Sequence, residues 1–83
     1  MQETYTTLVT VGEHKITLSV NERTGSVNSV GNEGIHGRVI YDEDKDTFTA
    51  STLSGYTSEP FPRSEYRALQ WLTTQCLTDQ RTS

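Results

Sequence analysis

The chain has 83 residues, a net charge of −4 and a hydrophobic fraction of 31%. This length suits one domain, and no segment has the ~20 consecutive apolar residues that a membrane span needs. The first residues lack the basic start and apolar run of a signal peptide, and a single cysteine excludes an internal disulfide framework. The acidic balance argues against direct binding to nucleic acid. We therefore expect a cytoplasmic protein.

The first two thirds of the chain alternate apolar and polar residues with the period of β-strands. Gly12–Glu13 suits a type II′ turn between the first two strands, and Gly25 suits the left-handed position of the next turn. Polar residues 42–46 predict the tip of a further hairpin. The predicted strands are residues 5–11, 15–20, 26–30, 35–41 and 47–53, of which 26–30 is the weakest.

One helix is predicted at the C-terminal end, over residues 63–78, after a loop at 54–62 and before a frayed tail at 79–83. Ser64 is expected to cap its N-terminus, with Pro62 at the first helical position as the alternative. The apolar face that should cover the sheet, with Phe61 leading into it, comprises Ala68, Leu69, Trp71, Leu72 and Cys76. We thus expect one α+β domain over residues 1–83, with an antiparallel sheet of four or five strands and one helix packed on a face.

The sequence contains no recognisable catalytic motif. His14 and His36 lack the spacing of metal ligands. The chain has neither the Gly-x-Ser-x-Gly elbow of hydrolases nor a phosphate-binding loop. A domain this small has little apolar volume to spare for an enclosed active site. We therefore expect a binding protein rather than an enzyme, with no catalytic residue and no cofactor, and we rank a small histidine-dependent hydrolase last.

The spacing Asp42-x-Asp44-x-Asp46 is that of the opening of a calcium-binding loop. Such a loop also needs Gly at its sixth position and Glu at its twelfth, where this chain has Thr47 and Leu53. We therefore expect no metal site and interpret these residues as a hairpin tip.

Acidic residues concentrate in the predicted turns and at strand ends. If the turns at 21–25 and 42–46 lie at one edge of the sheet, their carboxylates form an acidic rim that could bind a cationic groove of a partner. The alternative is that they only keep a small protein soluble. Tyr56, in a glycine-containing loop, is a further candidate anchor. The candidate partner-binding residues are Glu22, Glu33, Asp42, Glu43, Asp44, Asp46 and Tyr56.

Residues 61–72 (FPRSEYRALQWL) resemble the ending of small phage and mobile-element proteins, in which a Phe precedes a capped helix with an Ala-Leu-x-Trp-Leu-like face. Some small anti-CRISPR proteins share this ending and the strand meander before it. The resemblance implies a non-enzymatic phage protein that inhibits a CRISPR effector, or a similar nucleic-acid-processing complex, by direct binding in the bacterial host cytoplasm. No site residue carries over from this resemblance.

A second resemblance is to HicB-like antitoxins, through Tyr41, Asp42, Asp44, Asp46, Phe48, Ala50 and Gly55. It implies a regulatory protein that holds a small toxin and forms a homodimer, for instance through an unpaired strand edge. The chain departs from that family by lacking its Pro-Gly-Cys-like signature and by reaching no DNA-binding segment before Ser83. This antitoxin-like function is the alternative to the inhibitor.

Overall fold

In the part of the chain that the structure describes, six strands form one antiparallel sheet and a single helix follows them. The computed structural model describes residues 3–31 and 33–82, with no side-chain detail for residues 81 and 82. The strands are paired in chain order from β1 to β6. The elements are β1 (Thr4–Val11), β2 (His14–Asn21), β3 (Ser26–Ser29), β4 (His36–Asp42), β5 (Thr47–Thr52), β6 (Phe61–Pro62) and α1 (Glu65–Thr82). The α+β architecture with one C-terminal helix is therefore confirmed.

The six strands described exceed the four or five that the sequence predicts. The extra strand, β6, lies within the segment 54–62 that was predicted to be a loop. It contains only two residues, and Phe61 pairs with Phe48 of β5. No alternation can mark so short a strand, so only the contact with β5 reveals it. Pro62, the alternative first residue of the helix, belongs to this strand and not to α1.

Alternation along the strands creates an inner face that packs against α1 and an outer face of mostly polar side chains. Val9, Leu18 and Val27 are almost completely buried on the inner face of β1, β2 and β3. Ala68, Leu69 and Leu72 of α1 are buried against this inner face. The buried core comprises Val9, Ile16, Leu18, Val20, Val27, Ile35, Val39, Ala50, Ala68, Leu69 and Leu72.

The glycines of two tight turns adopt the conformations that the sequence predicts. Gly12 has a φ of 60° and is the only residue of its two-residue turn with a positive φ, as a type II′ turn requires. Gly25 has a φ of 79°, and its carbonyl accepts a hydrogen bond from the Val39 amide at 2.8 Å. A Cβ at Gly25 would collide with the Val39 carbonyl oxygen. Only glycine therefore fits this turn.

The helix starts at Glu65, two residues later than predicted. Arg63 has a φ of 55°, which is outside the helical range, and its amide donates to the Asp46 carbonyl at 3.0 Å. Ser64 is the N-cap, as predicted, because its hydroxyl accepts a hydrogen bond from the Arg67 amide at 3.2 Å.

The prediction that the helix stops at residue 78 and frays was wrong. The chain remains helical to Thr82, while Ser83 lies outside the described residues. The Gln80 side-chain amide donates to the carbonyls of Glu33 at 2.5 Å and Gly34 at 3.4 Å, which ties the last turns to the β3–β4 loop. No glycine or proline interrupts this segment, so nothing in the sequence ends the helix earlier.

The buried face of α1 differs in part from the prediction. Trp71 and Cys76 are only half-buried, whereas Thr73 is completely buried. The Thr73 hydroxyl donates to the Leu69 carbonyl at 2.8 Å, which satisfies it without a partner outside the helix. Among the residues described, no helix combines the length and the apolar character that a membrane span requires.

Candidate partner-binding surface

The topology of the sheet brings two acidic turns to the same end. β2 and β4 run in the same direction because each is antiparallel to β3, which lies between them. The turn 22–25 after β2 and the turn 43–46 after β4 must therefore project from one end. We call this the acidic end, and it contains five of the candidate residues: Glu22, Asp42, Glu43, Asp44 and Asp46.

The other two candidate residues lie elsewhere, so the seven do not form one surface. Glu33 is in the β3–β4 loop, at the opposite end of the sheet. One carboxylate oxygen of Glu33 is buried. Tyr56 follows β5, which runs away from the acidic end. Its side chain is exposed, but it cannot join a contact made by the turns 22–25 and 43–46.

Two of the five carboxylates at the acidic end hold the chain in place. Asp42 Oδ1 accepts hydrogen bonds from the amides of Asp44 at 3.0 Å and Lys45 at 3.3 Å, and these bonds shape the turn. Asp46 uses both oxygens, because Oδ1 accepts from the Tyr41 hydroxyl at 2.7 Å and Oδ2 from Arg63 Nε at 2.9 Å. The hydrogen bond to Asp46 is the main cause of a raised Tyr41 pKa. These two carboxylates are therefore less available to a partner.

The remaining three acidic side chains of the acidic end are exposed. Within residues 3–31 and 33–82, Glu22, Glu43 and Asp44 have no hydrogen-bond or ion-pair partner for their carboxylates. The two turns also contain two bases. One of them, Arg23, lies 3.9 Å from the Glu3 carboxylate, and the other is Lys45. Acidic residues thus outnumber basic residues at this end. The carboxylates most accessible to a partner are those of Glu22, Glu43 and Asp44.

A groove of about 430 Å³ opens beside the acidic end, on the inner face of the sheet. The rings of Tyr41 and Phe48 lie across the β4–β5 pair with centroids 4.8 Å apart. The groove is lined by Tyr5, Val20, Asn21, Glu22, Arg23, Thr24, Gly25, Val39, Ile40, Tyr41, Phe48 and Glu65. An apolar and aromatic groove therefore adjoins the exposed carboxylates.

Glu65 places a carboxylate in this groove from the first turn of α1. It is half-buried, and burial raises the pKa of its carboxyl. No described residue donates a hydrogen bond to it. A negative charge in the first turn of a helix is also favourable to the helix dipole. The pairing of Tyr41 with Phe48 could have been predicted from the four-residue length of the turn 43–46, because this length sets the register of β4 and β5.

The residues with potential for catalysis or metal binding do not converge. His36 Nδ1 lies 2.9 Å from Asn28 Oδ1 on the outer face, whereas His14 starts β2 at the end opposite the acidic end. The Cys76 thiol donates to the His36 carbonyl at 3.5 Å, and burial is the main cause of its raised pKa. Among the residues that the structure describes, no three His, Cys, Asp or Glu side chains form a metal-binding group.

Comparisons with other proteins return no relative. No protein-family model matches the chain, and searches of curated proteins and of solved structures find no significant similarity. A proposal for the function must therefore be argued from the fold, the acidic end and the adjoining groove.

Proposed function

We propose that this chain is a non-enzymatic inhibitor that binds a protein partner through the acidic end. The partner surface is cationic and normally holds nucleic acid. The observation that carries the proposal is the position of the turns 22–25 and 43–46 at one end of the sheet. Carboxylates grouped in this way attract arginine and lysine side chains and steer association.

The groove beside the acidic end could enclose a side chain of the partner and so add affinity beyond that of exposed charge pairs. Exposed charge pairs contribute little affinity, whereas a side chain enclosed in a pocket contributes much more. An arginine of the partner could lie against the rings of Tyr41 and Phe48, with Glu65 as its counter-ion. Such a side chain would replace an interaction that the partner makes with a phosphate.

The resemblance of residues 61–72 to small anti-CRISPR proteins makes a CRISPR effector the first partner to test. The protein would then act in the cytoplasm of a bacterial host and would be encoded by a phage or mobile element. In the alternative antitoxin-like function, the partner is a small toxin. The two functions differ in whether binding competes with the partner's nucleic acid.

The test is the binding of this chain to purified CRISPR effectors, with and without their nucleic acid, at low and moderate salt. Glu22→Gln/Glu43→Gln removes two exposed charges at the acidic end, and Glu13→Gln/Glu59→Gln removes two exposed charges elsewhere. We expect the first variant to weaken binding by on the order of tenfold and to flatten its salt dependence. The matched variant should bind as the unchanged chain does.

Equal binding by both variants would contradict docking through the acidic end. Binding that nucleic acid does not compete with would contradict mimicry of a nucleic acid. Capture of one toxin-sized protein instead of an effector would support the antitoxin-like alternative.

A further inference from the structure

The two edges of the sheet are finished differently. At the β5–β6 edge, the chain from residue 57 to 62 runs along β5, and Pro60 and Pro62 lack amide hydrogens that a further strand could use. At the other edge, β1 contains eight residues (TYTTLVTV) with no charge, proline or glycine. Strands of this composition pair readily with another strand unless something covers them.

The hydrogen-bond pattern identifies which groups of β1 point away from the sheet. The Val30 amide donates to the Thr17 carbonyl at 2.8 Å, so Thr17 turns its backbone groups toward β3. Leu8, the register partner of Thr17, must then direct its own amide and carbonyl to the open edge. By alternation, the amides and carbonyls of Thr4, Thr6 and Thr10 point the same way.

Helix α1 covers only one end of this edge. The Thr10 amide donates to the Tyr66 hydroxyl at 3.2 Å, and the Thr10 carbonyl accepts from Gln70 Nε2 at 2.9 Å. For Thr6 and Leu8, no residue in the described ranges supplies a donor or acceptor at the edge. The open part of β1 therefore runs from Thr4 to Leu8.

We infer that this open part of β1 pairs with β1 of a second copy of the chain, in antiparallel orientation and centred on Thr6. In this register Thr6 lies opposite Thr6 of the second copy, and Thr4 lies opposite Leu8. Six backbone hydrogen bonds form, two at each of the three facing pairs. The hydrogen bonds from Tyr66 and Gln70 to Thr10 stay intact, which is the reason for choosing this register over one centred on Thr7.

The chemistry of the edge favours a second copy as the occupant. The overlapping residues are uncharged, so two copies meet without like-charge repulsion despite a net charge of −4 on each. Leu8 is 54% exposed on the outer face and would gain contact with Thr4 of the other copy. The pairing is symmetric and closes on itself, so it yields a dimer and not a fibre.

The mass of the full chain in solution, measured by analytical ultracentrifugation, tests this pairing. We expect a concentration-dependent rise from 9.3 kDa toward twice that value. In parallel, amide hydrogen exchange at Thr6 and Leu8 should slow at least about tenfold at high concentration. A mass of 9.3 kDa at every concentration would overturn the inference, as would unchanged exchange at these two amides.

Charge substitutions test the register. Thr6→Lys and Thr6→Glu each place like charges face to face across the two-fold axis, so each variant alone should be monomeric. An equal mixture should dimerise because the facing charges become opposite. Thr49→Lys adds the same charge to the outer face of β5, away from the edge, and should remain dimeric. Dimerisation of Thr6→Lys alone would overturn the register centred on Thr6.

Discussion

The Asp46 carboxylate lies 2.9 Å from Arg63 Nε, and the Asp46 carbonyl accepts a hydrogen bond from the Arg63 amide at 3.0 Å. These two bonds connect the β4–β5 turn to the residue just before the helix cap. Both residues have a positive φ, 52° at Asp46 and 55° at Arg63, although neither is glycine. Paired side chains and backbone thus hold two unfavourable conformations in place.

Asp46→Ala should lower the free energy of unfolding by about 1–3 kcal/mol, because it removes two side-chain hydrogen bonds and leaves an unfavourable φ. Asp46→Gly loses the same bonds but adopts this φ freely, so it should cost about 1 kcal/mol less. Urea denaturation measures both. Asp44→Ala, an exposed change in the same turn, is the control and should stay within about 0.5 kcal/mol of the unchanged chain. Equal losses for Asp46→Ala and Asp44→Ala would show that the contacts of Asp46 contribute nothing.

The contacts that Asp42 and Asp46 make also determine which substitutions can test the acidic end. Removing Asp42 and Asp46 together with Glu43 and Asp44 would change the turn and its charge at the same time. Within the described residues, the carboxylates of Glu22 and Glu43 make no hydrogen bond or ion pair, so their neutralisation changes the charge without changing the turns. A loss of partner binding in an Asp46 variant would not separate the lost charge from the altered turn, because Asp46 also bonds Tyr41 and Arg63.

Ser58→Ala should destabilise the fold although it removes only a hydroxyl group. Ser58 Oγ accepts a hydrogen bond from the Ala50 amide at 2.9 Å and donates to the Glu59 carbonyl at 2.9 Å, in a buried position. Without it, the Ala50 amide is buried and unpaired, which costs about 1–3 kcal/mol. Urea denaturation measures the loss. In contrast, the Ser51 hydroxyl makes no hydrogen bond within the described residues, so Ser51→Ala should cost less than about 0.5 kcal/mol. Equal effects of the two changes would refute this role of Ser58.

The Cys76 thiol should react more slowly with iodoacetamide in the folded chain than in urea. Burial raises its pKa above the ordinary value of 9.0, so less reactive thiolate is present at any pH near 9. The reaction rate of the folded chain, followed by mass spectrometry, should therefore keep rising with pH after that of the unfolded chain has levelled off. Rate profiles that coincide would contradict the shift.

The same pKa shift predicts how stability depends on pH. A thiol whose pKa is higher in the folded state contributes stability at pH values below its unfolded pKa, and this contribution is lost as the pH rises through the folded pKa. The difference in free energy of unfolding between the unchanged chain and Cys76→Ser should therefore shrink as the pH rises above about 9. A constant difference would show that Cys76 has the same pKa in both states.

Local patterns were enough to predict most of the elements. Alternation places Ile16, Leu18 and Val20 on one side of their strand, because successive side chains of any strand point to opposite sides. Ser64 was identified as the helix cap since a hydroxyl before a helical run accepts a backbone amide. Gly25 was placed in a left-handed turn because other residues resist that conformation. Each of these inferences depends only on neighbouring residues.

Contacts between distant residues decided the rest. β6 exists only where Phe61 meets Phe48, and the helix extends to Thr82 in part because Gln80 reaches the carbonyls of Glu33 and Gly34. The partition of candidate residues between the two ends of the sheet likewise follows from the order of the strands.

The sequence by itself determined the α+β class, the alternating faces and the helix cap, because these depend on interactions within a few residues. The tertiary structure decided that Glu22 and Glu43 share an end that Glu33 and Tyr56 do not. It also decided that Asp46 is engaged by Arg63 and that the edge of β1 is open from Thr4 to Leu8. Strand register and packing across the sheet set these relationships, and no short stretch of the chain encodes them alone.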